Sequence, residues 1–180
     1  MRGSFEFARK LFKIEKAVEI GVYEGENALD MLRHGVGFLY LVDPYRAHMN
    51  NSLITDEATF EVTQEEMDQA KADMLKRVEA YPGKTQLLEF FSEEAAQAFK
   101  DDSLDFVYID SVHSYDEVKK DISFWYPKVR KGGVLGGHDY VTAAPGRAGY
   151  LGLIRAVDEF VKEKGVHLYT GGADWWVVKI

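Results

Sequence analysis

The sequence predicts an α/β fold in which helices cover both faces of a mostly parallel sheet of seven strands. Short apolar runs alternate along the chain with segments of helical periodicity, and this alternation produces right-handed crossovers and a three-layer, doubly wound sheet. The last two apolar runs are separated by a short segment that contains Gly171 and Gly172. No helix fits between them, so we expect a C-terminal antiparallel hairpin that makes one edge strand antiparallel.

The individual elements follow from the same patterns. The predicted strands are the runs 17–20, 38–42, 85–90, 104–109, 133–136, 166–169 and 175–178. The predicted helices are 26–34, 63–82, 92–99, 114–125 and 152–164. The second helix opens with Thr63-Gln64-Glu65-Glu66, which is typical of a capping box, and the last ends before Gly165.

Length and composition limit the classes of protein. The 180 residues are typical of one domain, 1–180, and the hydrophobic content of 46% supports a packed core. The net charge of −8 argues against a nucleic-acid partner. The absence of cysteine excludes disulfides, cysteine-based zinc sites and a catalytic thiol. No apolar run approaches the roughly 20 residues of a membrane span, and no secretory signal begins the chain, so a cytoplasmic location is expected.

A glycine turn follows the first predicted strand. Glu19, Gly21 and Gly25 form an E-x-G-x-x-x-G pattern between this strand and a helix. Gly21 allows a sharp turn or the close approach of a ligand, and Gly25 allows the helix to pack near the strand. Amide groups at the helix start can receive a carboxylate. An acid inside the turn suits an ammonium group better than a pyrophosphate, although a turn without a ligand is the simpler alternative.

Asp43 ends the second predicted strand. A carboxylate at this position can accept hydrogen bonds from the hydroxyls of a ribose, while an Asp before a proline is also common in plain turns. Taken with the glycine turn, it indicates a nucleoside that bears an amino acid and no phosphate.

Acidic and histidine residues follow two further strands. Asp110 and His113 come after the fourth strand, and His138 and Asp139 come after the fifth. Adjacent parallel strands end at the same edge of a sheet, so Asp110, His138 and Asp139 should converge beside the crevice. Carboxylates with water suit Mg²⁺, and a histidine admits Mn²⁺, Fe²⁺ or Zn²⁺. A polar rim without metal is the alternative.

These segments carry a resemblance to a known family. The chain resembles class I S-adenosylmethionine-dependent methyltransferases, and most closely the small metal-dependent O-methyltransferases that modify sugars and macrolides. The segments that carry it are VEIGVYEGENALDML, LVDPY, DFVYIDSVHSYDEVKKDISFWYPKVRKGGVLGGHDY and the terminal ADWWVVKI. The resemblance implies a Rossmann-like methyltransferase fold and methyl transfer to the hydroxyl of a small molecule or glycoside, assisted by Mg²⁺ or Mn²⁺.

The resemblance also assigns roles to residues in the cofactor site. Glu19, Gly21 and Gly25 would border the methionine end of S-adenosylmethionine, and Asp43 would hold the ribose. Phe91 and Ser92 would lie near the adenine, although Ser92 also fits the N-cap of its helix.

A second group of roles concerns metal and proton transfer. Asp110 would border the cofactor and bind the metal with His138 and Asp139. The family's pair at the last two positions is often Asp-Asp or Asp-Asn, so His138 departs from the pattern. His113 would act as the general base, because an imidazole titrates near neutral pH. Capping the helix that starts at Ser114, or binding the metal, are its alternatives.

Several points stay open at this stage. A nucleotide-cofactor oxidoreductase of the NAD type and an inactive cofactor-binding module are the rival functions. The stretches 46–60 and 143–150 are candidate lids over the substrate. Related enzymes usually carry N-terminal helices, whereas this chain begins almost at its first predicted strand. We therefore expect either a minimal enzyme or a partner subunit that covers the site, and a homo-oligomer is left open.

Overall fold

The computed structural model describes residues 1–50, 60–141 and 151–180, with the backbone alone for residues 48–50, 60 and 61. The strands are β1 Lys16–Ile20, β2 Phe38–Val42, β3 His48–Asn50, β4 Phe60–Val62, β5 Thr85–Leu88, β6 Leu104–Ile109, β7 Val129–Gly137, β8 Tyr169–Gly171 and β9 Asp174–Val178. The helices are α1 Gly3–Leu11, α2 Glu26–Arg33, α3 Gln64–Val78, α4 Ser92–Ala96, α5 Tyr115–Trp125 and α6 Leu151–Lys164.

The main sheet has seven strands, as the sequence predicts, in the order β5-β2-β1-β6-β7-β9-β8. The first five of these run parallel to one another. β9 is antiparallel to both β7 and β8 and lies between them. The predicted hairpin is therefore confirmed, but the prediction that the antiparallel strand lies at the edge is wrong. β9 is an apolar strand buried along most of its length, whereas the shorter β8 carries exposed positions and takes the edge.

Two apolar layers separate the sheet from its helices. One face packs against α1, α2 and α3 through residues that include Phe5, Met31 and Met74. The other packs against α4, α5 and α6 through Trp125, Phe160 and their neighbours. Strand residues alternate between the two clusters, as the twofold periodicity of a strand requires. This doubly wound arrangement confirms the predicted fold class.

The helix α1 is absent from the sequence prediction, which begins its elements at the first strand. Phe5 and Ala8 are buried on its inner side. The rings of Phe5 and Phe106 in β6 pack in a T-shaped arrangement with their centres 5.4 Å apart. Its first residues also join the sheet through Ser4, whose N–H and hydroxyl both donate to Asp174. The expectation of a chain without an N-terminal covering helix is wrong.

The other helices follow the predicted signals closely. Thr63 and Glu66 form the capping box of α3, in which Glu66 N–H donates to Thr63 Oγ1 and Thr63 N–H donates to Glu66 Oε2. Ser114 is the N-cap of α5, and its side chain accepts a hydrogen bond from Glu117 N–H. The sequence does not predict the antiparallel pair β3 and β4. Most of both candidate lids lies outside the described residues.

No helix among residues 1–50, 60–141 and 151–180 has the length and apolar character needed to cross a membrane.

Candidate active site

The carboxyl ends of four parallel strands meet at one edge of the sheet. The register pairs Ile20 with Val42 and with Ile109, and Ile109 with Gly137. The residues that directly follow these strand ends are Gly21, Asp43, Asp110 and His138. Because the strands end in register, the topology brings together the predicted residues from four separate parts of the chain. This is the edge at which open α/β sheets bind their ligands.

The glycine turn has a specific steric reason. Gly21 has φ +80, and a Cβ at this position would lie 2.2 Å from the carbonyl oxygen of Asp110. Gly25 has φ +76 and is the N-cap of α2, and a Cβ there would lie 2.7 Å from Met74 Cγ in α3. Gly21 thus allows the turn to contact the end of β6. The prediction that Gly25 permits packing against the strand is wrong, since its close neighbour is a helix.

Asp43 holds the glycine turn in place. Its Oδ2 accepts hydrogen bonds from the N–H groups of Val22 and Tyr23, both at 3.0 Å, and its Oδ1 accepts one from Tyr45 N–H at 2.9 Å. A carboxylate has about four acceptor positions, so roughly one remains for a ligand hydroxyl. The predicted ribose contact therefore stays a prediction, and it can involve fewer hydroxyls than the sequence suggests.

Glu19 is a buried acid with one unsatisfied oxygen. Its side chain is 1% exposed, and its Oε1 accepts a hydrogen bond from Asn27 Nδ2 at 2.9 Å. The Oε2 atom is buried and has no hydrogen-bond partner among the described residues. Burial raises the pKa of Glu19 to about 8, although the hydrogen bond from Asn27 opposes the shift. An orphaned acceptor beneath the turn is suited to a cationic ligand group.

Two carboxylates and two histidines form a cluster beside the turn. His113 Nε2 lies 3.1 Å from Asp139 Oδ2 and 3.7 Å from Asp110 Oδ1. His138 Nδ1 lies 3.1 Å from Asp139 Oδ1 and 3.8 Å from Asp110 Oδ1. The predicted convergence of strand ends is therefore present. Within the described part of the chain, Asp110, His113 and Asp139 each offer a ligand atom, and these atoms lie within 4.8 Å of one another. This group contains His113, whereas the sequence predicts His138 as the ligand.

The opposite charges in this cluster stabilise each other. Burial opposes the charged form of His138, but its hydrogen bond to Asp139 and the nearby Asp110 raise its pKa above the ordinary value. Burial likewise acts against the Asp139 carboxylate, yet the two histidines lower its pKa. Asp139 also has φ +59, a backbone conformation that few residues other than glycine adopt. Such strain is common at functional sites and here occurs at a predicted ligand.

Phe91 and Ser92 occupy different environments. Phe91 is the N-cap of α4, its ring is 52% exposed, and the Arg46 guanidinium lies 5.4 Å from the ring centre. Ser92 is the first residue of the helix, and its Oγ accepts a hydrogen bond from Trp125 Nε1 at 2.8 Å. The alternative of Ser92 as the N-cap is therefore wrong. Its predicted place near an adenine stays untested, and Phe91 offers the more accessible surface.

The structure adds two residues to the site that the sequence analysis does not identify. Asn27 lies in the first turn of α2 and bonds to Glu19. Arg2 precedes α1, and its Nη2 donates to Asp110 Oδ2 at 3.4 Å. Asn27 lies next to the glycine motif and could have been noticed there. Arg2 is distant in sequence from every motif, and only the unrecognised helix α1 brings it to the site.

A separate cleft of about 630 Å³ lies at the opposite edge of the sheet. Its lining includes Lys13, Lys16, Tyr81 and Lys84. None of the predicted site residues lines this cleft, because it lies near the amino ends of β1 and β2. The chemistry of the carboxyl edge is therefore independent of it.

Several solved structures share this fold. The O-methyltransferase NovP is 16% identical over 98% of this chain and 76% of its own, with a TM-score of 0.66. An O-methyltransferase from Bacillus cereus in complex with SAH is 15% identical over 99% and 82%, with a TM-score of 0.65. An rRNA methylase from Streptococcus thermophilus is 14% identical over 98% and 94%, with a TM-score of 0.62. No curated protein matches the sequence.

The sequence also matches a protein family directly. The model of a methyltransferase domain family covers residues 18–140, from the first strand through the acidic and histidine cluster. The match includes the glycine turn, Asp43, Asp110 and the His138–Asp139 pair, which the fold assembles at one edge. The chain therefore belongs to this methyltransferase domain family, and it is a class I S-adenosylmethionine-dependent methyltransferase that resembles the O-methyltransferases.

Proposed function

We propose that this enzyme transfers the methyl group of S-adenosylmethionine to a hydroxyl of a small molecule or glycoside, with the assistance of a divalent metal. The observation that carries the proposal is the convergence of Asp110, His113 and Asp139 immediately beside the glycine turn. A methyl acceptor placed at this edge would lie next to groups able to bind a metal and to accept a proton.

The residues of the glycine turn suit the cofactor. Glu19 Oε2 has no partner among the described residues and would accept a hydrogen bond from the ammonium group of the methionine moiety. The remaining acceptor position of Asp43 would take a ribose hydroxyl, and the exposed ring of Phe91 would lie near the adenine. The sulfonium of the bound cofactor supplies the activated methyl group.

The acidic cluster suits a divalent metal. Asp110 and Asp139 present carboxylate oxygens, which Mg²⁺ prefers, and a histidine ligand would also suit Mn²⁺. His138 Nδ1 contacts both carboxylates and would complete the set. A bound divalent metal lowers the pKa of a hydroxyl that coordinates it and orients that hydroxyl.

His113 would then accept the proton of the acceptor hydroxyl. Its Nε2 lies 3.1 Å from Asp139 Oδ2, and this contact would stabilise the imidazolium that forms. The same nitrogen also faces Asp110, so a direct metal bond is the rival role for His113. One nitrogen cannot bind a metal and accept a proton at the same time, which makes the two roles separable by experiment.

The proposed acceptor is a small molecule and not RNA. The rRNA methylase among the structural neighbours shares the fold alone. The net charge of −8 disfavours binding to a phosphate backbone, which requires a basic surface. A screen of sugars, glycosides and other hydroxyl compounds is therefore the first step toward an acceptor.

The metal assignment can be tested once an acceptor is found. Asp110→Asn and Asp139→Asn should abolish methyl transfer, because each removes a charged ligand, while S-adenosylhomocysteine binding measured by calorimetry should largely persist. EDTA should inhibit the parent enzyme, and Mg²⁺ or Mn²⁺ should restore its activity. Asp101→Asn changes an exposed aspartate before the amino end of β6, at the end of that strand opposite the site, so it serves as the control variant and should retain activity. Full activity of the parent enzyme in EDTA would refute the proposed metal dependence.

The two roles of His113 predict different results. If it is the base, His113→Ala should lower kcat by roughly 10²–10⁴-fold with little change in metal affinity. The matched variant His138→Ala should weaken metal binding, so that excess metal restores part of its rate. If His113→Ala weakens metal binding and His138→Ala does not, then His113 is the metal ligand and His138 is the candidate base. A His113→Ala enzyme with normal kcat would remove His113 from the chemistry.

A further inference from the structure

We propose that Arg2 binds the carboxylate of the cofactor's methionine moiety, so that Arg2 and Glu19 together recognise the α-amino acid group. This inference rests on the proposed binding of S-adenosylmethionine at the glycine turn. It assigns a positioning role to a residue outside every motif of the sequence and outside the matched family region, residues 18–140.

The fold places Arg2 on the same face of the sheet as Glu19. Glu19 in β1 pairs in register with Tyr108 in β6, and side chains of register partners in parallel strands point to the same face. The Arg2 guanidinium carbon lies 5.9 Å from the centre of the Tyr108 ring. Its Nη2 lies 3.4 Å from Asp110 Oδ2, directly beyond the end of the same strand. Arg2 therefore stands one strand away from Glu19, at the proposed methionine end of the crevice.

The chemistry of an α-amino acid requires two opposite charges close together. Its ammonium and carboxylate are attached to one carbon, so the groups that bind them must be neighbours. Glu19 supplies a buried, unpaired carboxylate oxygen for the ammonium. A guanidinium has five N–H donors in a planar fork that matches a carboxylate, and among the described residues Arg2 uses only one, in its bond to Asp110.

The glycine turn itself offers few donors for this carboxylate. The N–H of Gly21 bonds to Val42 and that of Gly25 to Val22. The N–H groups of Val22 and Tyr23 both bond to Asp43. Four amides of the turn are therefore engaged within the protein and cannot receive a carboxylate. These bonds do not test the expectation for the helix start, because that expectation concerns the first amides of α2, which no side chain caps. A carboxylate at this turn would bind those amides, a side chain such as that of Arg2, or both.

The surrounding charges favour a cation at this point. Asp43, Asp110 and Asp139 lie at the same edge, and their negative charges would repel an entering carboxylate. The Arg2 guanidinium forms an ion pair with Asp110 at 3.4 Å, so a positive charge is present among these acids. Arg2 offsets the repulsion at the position where the carboxylate must lie.

The test compares two ligands that differ only in this carboxylate. Binding of S-adenosylhomocysteine and of its decarboxylated analogue, which keeps the amine, would be measured by calorimetry in EDTA. For Arg2→Met, S-adenosylhomocysteine should bind roughly 10- to 100-fold more weakly than for the parent protein, the equivalent of one hydrogen bond between charged groups. The analogue should bind about equally to both proteins, because it has no carboxylate to lose.

Two further variants make the result specific. Arg9→Met makes the same substitution in α1 at a residue that contacts Met1, and it should behave like the parent. Arg2→Lys keeps the charge and should restore part of the affinity. If removal of the ligand's carboxylate weakened binding by the same factor in the parent and in Arg2→Met, the role of Arg2 would be overturned. The proposed cofactor binding would still stand. Failure of the parent to bind either ligand would overturn the proposed cofactor binding, and this inference with it.

Discussion

Glu19 is placed to bind a ligand, and its position lowers the stability of the ligand-free protein when the side chain is ionised. A buried carboxylate with one unpaired oxygen is unfavourable when ionised, because its Oε2 has no donor among the described residues. The hydrogen bond from Asn27 compensates only one of the two oxygens. The side chain is therefore arranged for a cation that arrives from outside, and its cost to the ligand-free protein can be measured.

The stability of the ligand-free protein should depend on pH through Glu19. Burial raises its pKa from an ordinary value of 4.5 to about 8, so the folded state binds this proton more tightly than the unfolded state. The contribution is present at pH 4.5 and below, and it is lost as pH rises toward 8. Glu19→Gln should therefore gain stability relative to the parent as pH rises, by about 2–4 kcal/mol at pH 8.

Urea unfolding at pH 5 and at pH 8 provides this comparison. Glu79→Gln changes an exposed glutamate at the end of α3 in the same chemical way and should follow the parent at both pH values. A constant difference between Glu19→Gln and the parent across this range would show that Glu19 is ionised in the folded protein without cost.

The sequence identifies individual site residues when they adjoin a recognisable strand end. Glu19, Asp43, Asp110 and Asp139 were all found in this way, since each lies in or just after a strand that the apolar pattern predicts. What each side chain contacts was not accessible from the sequence. Asp43 bonds mainly to the backbone of the glycine turn, and His113 lies as close to the two carboxylates as His138 does, at 3.1 Å from Asp139 in each case.

At the scale of elements, α1 contributes to both stability and the site. It packs against β7, β8 and β9, its Phe5 ring contacts Phe106 in β6, and it carries Arg2 to the carboxyl edge. Its nine residues include several charged ones and three buried positions, Ser4, Phe5 and Ala8. The apolar residues Phe5, Ala8 and Phe12 have helical spacing, so the helix itself could have been predicted from the sequence. Only the tertiary packing of α1 shows that it brings Arg2 to the site.

The contribution of α1 to stability can be tested at Phe5. This side chain is 1% exposed and packs against Phe106, so Phe5→Ala should lower the free energy of unfolding by about 3–5 kcal/mol. Leu11→Ala, in the same helix, removes a side chain that is 57% exposed and should cost less than about 0.5 kcal/mol. Equal losses in urea unfolding would mean that α1 does not pack on the sheet in solution.

Element order in space is less predictable than element identity. Six of the seven main strands were predicted at overlapping positions, whereas the predicted run 166–169 shares only Tyr169 with β8. The capping box at Thr63 located the start of α3. The position of β9 between β7 and β8 was not, because local patterns carry no information about which strand is inserted between two others. The pair β3 and β4 was also missed, since each strand has only three residues and no apolar run.

For the whole molecule, the parallel register explains why the site can be assembled from distant segments. Strand ends as far apart in sequence as Ile20 and Gly137 finish at one edge, so a cofactor crevice and an acidic cluster become neighbours. The fold and its methyltransferase family could therefore be predicted from sequence. The acceptor could not, because acceptor specificity depends on loops above this edge and not on the strands that build it.

The binding of S-adenosylmethionine is the central claim, and calorimetric titration of the intact protein tests it most directly. The parent should bind S-adenosylmethionine and S-adenosylhomocysteine and should not bind NAD(H). Asp43→Ala should bind S-adenosylhomocysteine about 1.5–3 kcal/mol more weakly, because it loses a charged hydrogen-bond acceptor and the restraint on the glycine turn. Tight binding of NAD(H) with no binding of S-adenosylmethionine would contradict the account.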